Sequence, residues 1–302
     1  MYKIKRNGFT LVELMAVIII ISLIALLTFP NIINQIKKTK KSNNKMIEDI
    51  VIEQTKKYVS DNKGEFDSDT YFVSVKELVD NDYIKEELLK STDSKIKDKY
   101  IIYNNGNYRI VDKLYTELEY IESTGHQAIK TDIYIENTDI IEFVFFDNTI
   151  TTWENFFGIV SNEFGVVRAG GRAKVVEFEI NRNYIKPSTV VIDSKEINTW
   201  TINIPESTFN WNKENEFSFE SIKGSFTKSV NDFYIFAKVT TSGTYDVPGS
   251  FKFYSLSVKD ATTGKYRYDL IPVLDYDGVA CLYDKIGKKF YYNEGSEDFL
   301  YE

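Results

Sequence analysis

Gly8-Phe9-Thr10-Leu11-Val12-Glu13-Leu14-Met15-Ala16-Val17-Ile18-Ile19-Ile20-Ile21 opens an apolar run in which no charge follows Glu13 until Lys37. The 23 residues from Leu14 to Ile36 would extend roughly 35 Å as a helix, against a bilayer core of about 30 Å. Lys3, Lys5 and Arg6 precede the run; Lys37, Lys38, Lys40 and Lys41 follow it. Positive charge on both flanks leaves the orientation open by charge alone. If the shorter N-terminal flank dominates, the leader is cytoplasmic. Thr28-Phe29-Pro30-Asn31 is a poor substitute for the small-residue site of a secretory signal peptide. Glu13 is the anomaly, because a carboxylate at the head of a lipid-facing run is costly unless it has a partner or a role.

Gly8, Phe9 and Glu13, set behind a basic leader, resemble the processing motif of type IV prepilins and pseudopilins. That resemblance implies a leader of residues 1–8, removed on the cytoplasmic side by a membrane aspartyl peptidase that cuts the Gly8–Phe9 bond and methylates Phe9. It also implies that Glu13 pairs with the N-terminal amine of a neighbouring subunit during assembly. Pro30 falls where many pilin helices kink. The electrostatics agree: a carboxylate in an apolar helix bundle either protonates or finds a cation, and an ammonium on the adjacent Phe9 is such a cation.

Beyond the lysines the helical pattern continues. Ile47, Ile50, Val51, Gln54 and Tyr58 share one face, and Asp61-Asn62-Lys63-Gly64 reads as the end, with Gly64 the candidate C-cap. Pro30 is expected to bend or locally melt this helix. Ser74-Val75-Lys76-Glu77 is a capping box that opens a short helix through Val79. Tyr100–Tyr103 and Tyr108–Val111 flank Asn104-Asn105-Gly106-Asn107, a hairpin signal. The stretch Tyr71–Val79 with Tyr83-Ile84-Lys85 is similar to the headpiece of Gram-positive type IV pilin-like proteins. Pilin helix and headpiece are therefore expected over residues 9–112.

Residues 113–302 read as all-β. Ile129, Thr131, Ile133 and Ile135 alternate with polar neighbours, as do Val176, Phe178 and Ile180, and then Phe217 and Phe219. Ile140–Phe146 is apolar nearly throughout, as a central strand is. Gly-containing turns recur, among them Thr263-Gly264 and Asp277-Gly278, which suggests a β-sandwich. Tyr115–Gly125 and Asp269–Asn293 look like the opening and closing strands of laminin-G-like, concanavalin-type jelly rolls of bacterial surface and phage proteins. The whole chain is thus expected to be α+β: a long helix with a small α/β headpiece, then an all-β jelly-roll sandwich.

Charge supports a change of character near residue 112: residues 1–112 hold 18 Lys/Arg against 16 Asp/Glu, and residues 113–302 hold 19 against 29. The formal charge of −8 argues against nucleic acid as a partner. Arg168, Arg172 and Lys174 form a local basic patch in the acidic domain. One Cys and one His exclude a disulfide framework and multi-His or Cys-based metal centres. His126 reads as a turn histidine, and no nucleophile-elbow pattern accompanies it; Glu177 and Glu179 alternate with core residues rather than forming a catalytic pair. No enzyme is expected. Asp275 and Asp277 are weak candidates for Ca²⁺, the single cofactor in view, against a plain Asp-Gly turn. Trp200 shares a face with Ile202 and reads as core, whereas Trp153 and Trp211 sit among polar residues and are the ligand candidates.

Together these readings describe a minor pilin whose sandwich is an adhesin for a glycan or a surface protein. The alternative is a structural, filament-initiating subunit, or a pseudopilin of a secretion or DNA-uptake system, with its sandwich packed on other pilins. Expected partners are other pilin subunits, the prepilin peptidase and, for the lysines of 37–45, acidic lipid before assembly. The chain would cross the cytoplasmic membrane once and then enter an extracellular filament.

Overall fold

A computed structural model describes residues 10–66, 70–90, 95–147, 154–159, 164–169, 175–180, 183–185, 196–213, 215–221, 232–239, 245–246 and 249–302. For 27–32, 65, 154, 164–169, 175–178, 184, 215, 238–239 and 245–246 it describes the backbone alone. The chain divides into two compact units, Met1–Lys113 and Leu114–Glu302.

The first unit opens with one 51-residue helix, α1 (Leu11–Asp61). It runs unbroken through position 30, so the local melting expected at Pro30 does not occur; the proline removes one intrahelical donor without ending the helix. Its second half buries Ile47, Val51 and Tyr58 against Val73, Val75, Leu78, Ile84, Leu89, Ile96 and Ile101. Thr55 completes the stripe. It is fully buried, and its hydroxyl donates to Val51 O at 2.8 Å, so no polar group is left unpaired. The helix ends two residues earlier than a Gly64 cap requires. Asn62 is the C-cap, its backbone N–H donating to Tyr58 O and Val59 O and its side chain to Tyr58 O; Gly64 falls in a following 3₁₀ turn, Lys63–Glu65.

Next come β1 (Thr70–Ser74), α2 (Val75–Asp80), α3 (Glu86–Lys90), β2 (Tyr100–Asn104) and β3 (Asn107–Val111). The Ser74 hydroxyl accepts the Glu77 N–H at 3.0 Å and starts α2 where the capping box predicts. The three strands form an antiparallel sheet in the order β1-β2-β3. Asn105 (φ 46°) and Gly106 (φ 87°) make the two-residue turn of the β2–β3 hairpin with both central residues left-handed.

The second unit holds β4 (Tyr115–Glu117), β5 (Ile121–Glu122), β6 (Ile129–Thr131), β7 (Asp139–Phe146), β8 (Glu154–Gly158), β9 (Phe164–Ala169), β10 (Val175–Ile180), β11 (Asn183–Ile185), β12 (Asn198–Asn203), β13 (Thr208–Trp211), β14 (Asn215–Ser218), β15 (Phe233–Ile235), β16 (Lys238–Val239), β17 (Tyr245–Asp246), β18 (Lys252–Asp260), β19 (Tyr266–Asp275), β20 (Ala280–Asp284), β21 (Lys289–Tyr291) and β22 (Leu300–Tyr301). Six strands form one sheet, β11-β10-β9-β8-β15-β6. The other runs β14-β13-β12-β7-β18-β19-β20-β21, with β4 added on β19, β5 on β18 and β22 on β5. Rings from the two sheets meet in one core: Phe143 and Phe145 of β7 lie 4.8 Å from Phe157 and Phe156 of β8, and Trp200 of β12 lies 5.2 Å from Phe156. The unit is therefore a β-sandwich.

β7 is central to its sheet, between β12 and β18. Opening and closing strands come together as the jelly-roll resemblance implies, with β4 against β19 and β5 against β22. The alternation read from Ile129 to Ile135 holds for burial, Ile129, Thr131, Ile133 and Ile135 all pointing inward, but ladder pairing stops at Thr131.

Candidate functional site

Of the processing motif, Gly8 and Phe9 lie outside the described residues, and Thr10 to Glu13 are placed. Thr10 is the N-cap of α1, extended at φ −76° and ψ 154°. Its hydroxyl accepts the Glu13 N–H at 3.3 Å, while Glu13 Oε2 accepts both the Thr10 N–H and the Thr10 hydroxyl at 2.8 Å. This is a complete capping box. Glu13 is thereby satisfied within its own chain, by donors that the first turn of a helix always leaves over. Above it, Leu11, Val12, Leu14, Met15 and the isoleucines of 18–21 are all more than half exposed. The polar exception in that run, Ser22, donates to Ile18 O at 2.8 Å. Among the described residues no helical stretch is long and apolar enough to cross a membrane; side chains are described to Leu26 and again from Ile33.

In the sandwich, Trp153 and the side chains of Arg168, Arg172 and Lys174 lie outside the described residues. Trp211 is corrected. It is 9 % exposed and belongs to the core, its ring stacked 6.0 Å from Phe209. Trp200↔Trp211 are register partners on β12 and β13; directly opposed residues share a face, so Trp211 follows the buried Trp200 inward. Its polar neighbours Asn210 and Asn212 had suggested otherwise.

Asp275 is also corrected as a Ca²⁺ ligand. It is buried; Oδ1 accepts the N–H groups of Asp277 and Val279 at 2.8 and 2.9 Å, and Oδ2 accepts the Tyr292 hydroxyl at 2.9 Å. Its lone pairs serve the Asp277-Gly278 turn (Gly278 φ 80°), with Asp277 exposed at the tip. Among the described residues no group of three or more His, Cys, Asp or Glu side chains is arranged to hold a metal ion.

His126 sits in a turn, 3.6 Å from Glu297 and 3.4 Å from the Thr124 hydroxyl. Beside it the fully buried Gln127 clamps two loops. Its Oε1 accepts from Ser123 Oγ, Thr124 N and His126 N, and its Nε2 donates to Asp298 O. Ser123 is buried in that clamp, so these residues hold a loop.

Sequence reading missed a cluster carried by β19 and the segment before β7. The Arg267 guanidinium lies 4.4 Å from the Tyr134 ring and 5.7 Å from Tyr268. It pairs with the buried Asp139 at 2.6 Å and with Glu136 at 3.4 Å. Burial raises the Asp139 carboxyl above its ordinary value despite the arginine, and burial pushes the Tyr268 phenol up to about 12. Nearby, Asp132 accepts from Lys289 at 2.7 Å and from the Tyr291 hydroxyl. Burial works against its charge, but these two donors outweigh burial and hold it below the usual carboxylate range. Tyr266, half exposed, continues the aromatic edge. Such partly exposed rings, with charged groups fixed beside them, can stack and hydrogen-bond a polar ligand. The sequence signal was Tyr266-Arg267-Tyr268; its counterpart Tyr134 is more than a hundred positions away, and nothing local joins them.

Comparison with known proteins adds the following. No curated protein matches the chain. Among solved structures, one similar chain is a protein of Bacteroides ovatus ATCC 8483 to which carbohydrate binding has been ascribed; it is 10 % identical, covers 68 % of this chain and 67 % of its own, and superposes with a TM-score of 0.44, a likeness too distant to carry an argument. Residues 3–29 match the prokaryotic N-terminal methylation motif. That segment contains the basic leader, the Gly8–Phe9 junction, Glu13 and the first turns of α1, and through it the chain bears a prepilin-type N-terminus.

Proposed function

We propose that the chain is a minor type IV pilin that displays its β-sandwich on a surface filament as an adhesin for a glycan or a surface protein. The observation that carries this reading is the exposed apolar start of α1, continuous with the methylation motif. An uncovered hydrophobic surface of that length requires a partner. Lipid serves before assembly, with α1 crossing the cytoplasmic membrane once, and sister helices serve afterwards. Cleavage of the Gly8–Phe9 bond frees the Phe9 amine, and Glu13 exchanges its Thr10 donors for the amine of the adjacent subunit. The laminin-G-like sandwich has a core of its own and follows the headpiece, which suits display; about 190 residues on every subunit would crowd a helical filament, which favours a minor component. The chain has no enzymatic role in this reading and needs no cofactor.

The test is a glycan and matrix-protein array with the soluble sandwich, residues 114–302, with and without Ca²⁺. Saturable binding that is lost in Tyr266→Ala or Trp153→Ala supports the adhesin and locates its face. Absence of binding under every condition refutes it and leaves the packing role against other pilins.

A further inference from the structure

The outer face of the larger sheet carries a row of short polar side chains. Phe209, Ile202, Phe143, Leu256 and Leu270 of β13, β12, β7, β18 and β19 point into the core. Strand alternation therefore turns their neighbours Asn210, Thr201, Glu142, Ser257 and Asp269 outward. The pairing registers align these directly across the strands: Asn210 with Thr201, Thr201 with Glu142, Glu142 with Ser257, and Ser257 with Asp269. Five strands spaced about 4.8 Å apart make this row about 19 Å long. Glu142 is exposed and the other four side chains are half-buried.

Among the described residues, the Thr201 and Ser257 hydroxyls have no hydrogen-bond partner and Glu142 has no ion pair. Asp269 is held by Lys285 at 2.8 Å. In the next row on the same face, Asn203, Ile140, Lys259 and Tyr266 are register partners. Lys259 Nζ lies 5.9 Å from the Tyr266 ring, which is half exposed. Glu142 and Asp269 are thus balanced by Lys259 and Lys285. That balance selects the occupant. An apolar protein patch would strip water from Glu142 and the two hydroxyls without replacing their bonds, at about 1–3 kcal/mol for each group. A polyanion would be repelled by Glu142, and a polycation by Lys259. An uncharged polyol offers O–H donors to the carboxylate and both donors and acceptors to the hydroxyls, and the face of a sugar ring can stack on Tyr266.

We propose that an uncharged glycan chain lies along this row, across the strands. The step rests on the adhesin reading above and narrows its ligand from a glycan or a surface protein to a neutral glycan. Glu142, at the centre of the row, accepts sugar hydroxyls and sets the specificity against anionic chains. Thr201 and Ser257, on either side of it, exchange hydrogen bonds with the adjoining sugars. Tyr266 borders the row and carries one ring by stacking.

The test uses the full chain in micelles of a detergent without a sugar head. It is titrated calorimetrically with dextran, mannan and galactan as uncharged probes, heparin as the anionic probe and collagen as the protein probe. An uncharged polymer is expected to bind, with an affinity that barely changes between about 0.05 and 0.5 M salt. Glu142→Ala, and separately Thr201→Val with Ser257→Ala, are each expected to weaken that binding about tenfold. All three side chains face outward, so an unchanged thermal midpoint shows that these variants are folded. Binding of an uncharged polymer that survives both changes and is lost in Trp153→Ala overturns the row but leaves the adhesin reading standing. Binding of heparin or collagen in place of the uncharged polymers does the same. Binding to none of these probes also overturns the row, and silence across the wider glycan and matrix-protein array sinks the adhesin reading with it.

Discussion

Thr10 and Glu13 show how a single residue pair satisfies a carboxylate at the head of an apolar helix. The Glu13 oxygen Oε2 takes two bonds from Thr10, one from the backbone N–H and one from the hydroxyl. Thr10→Val keeps the side-chain shape and removes the hydroxyl. It is expected to weaken the helix start by about 1 kcal/mol, visible as faster amide exchange at residues 11–14 in micelles while residues 47–58 are unchanged. A second position tolerates even less. A Cβ on Gly295 would lie 2.0 Å from His126 O and 2.7 Å from Gln127 Cα, both of them backbone in the clamped loop. Gly295→Ala therefore has to shift main chain, at roughly 1–3 kcal/mol, and a calorimetric midpoint of the sandwich lowered by several degrees checks it. Asp260 supplies a pH test. Hydrogen bonds from the Thr138 hydroxyl, then from Thr263, lower its carboxyl to about 2. A depressed folded-state value means the stabilisation is present above the unfolded value near 4 and is lost as pH falls toward 2. Wild type and Asp260→Asn are expected to differ in urea midpoint at pH 6 and to converge across that window.

Among the elements, β13 is where composition and register part company. Trp211→Ala removes a core ring at the Trp200 register position and is expected to cost about 3–5 kcal/mol, whereas Trp211→Phe retains most of the packing. Chemical denaturation of the two variants separates this from a ligand role, since an exposed stacking tryptophan would cost little stability in either. The elements that sequence reading reached are those specified locally. The α1 stripe, the Ser74 cap, the Asn105-Gly106 turn and the inward Trp200 each follow from side chains within a few positions of one another. The misses are long-range. Trp211 is turned inward by a partner strand; Asp275 is claimed by Tyr292 as well as by its own turn; Arg267 finds Asp139 and Tyr134 across the sequence. Thr55 was missed for another reason: a threonine that bonds back to its own helix is apolar in effect, yet it reads as polar.

On the scale of the whole molecule the two hydrophobic cores are separate sets. One draws on residues 47–110 and the other on residues 118–299. The headpiece core is small and holds a helix whose described apolar side chains from Leu11 to Leu26 are largely exposed, so its cooperativity depends on a few buried contacts. The sandwich core is aromatic: Phe143 alone meets six other rings within 6.2 Å. Burial scales with size, so the larger unit is expected to hide a greater fraction of its surface. Ile101→Ala, at a fully buried headpiece position, is expected to cost that core about 2–5 kcal/mol. A 46–113 headpiece fragment carrying it should lose cooperative unfolding, while the full-length variant retains the sandwich transition at the wild-type midpoint. Loss of both transitions together would mean that the cores unfold as one unit, and the sandwich could then not be displayed as an independently folded module.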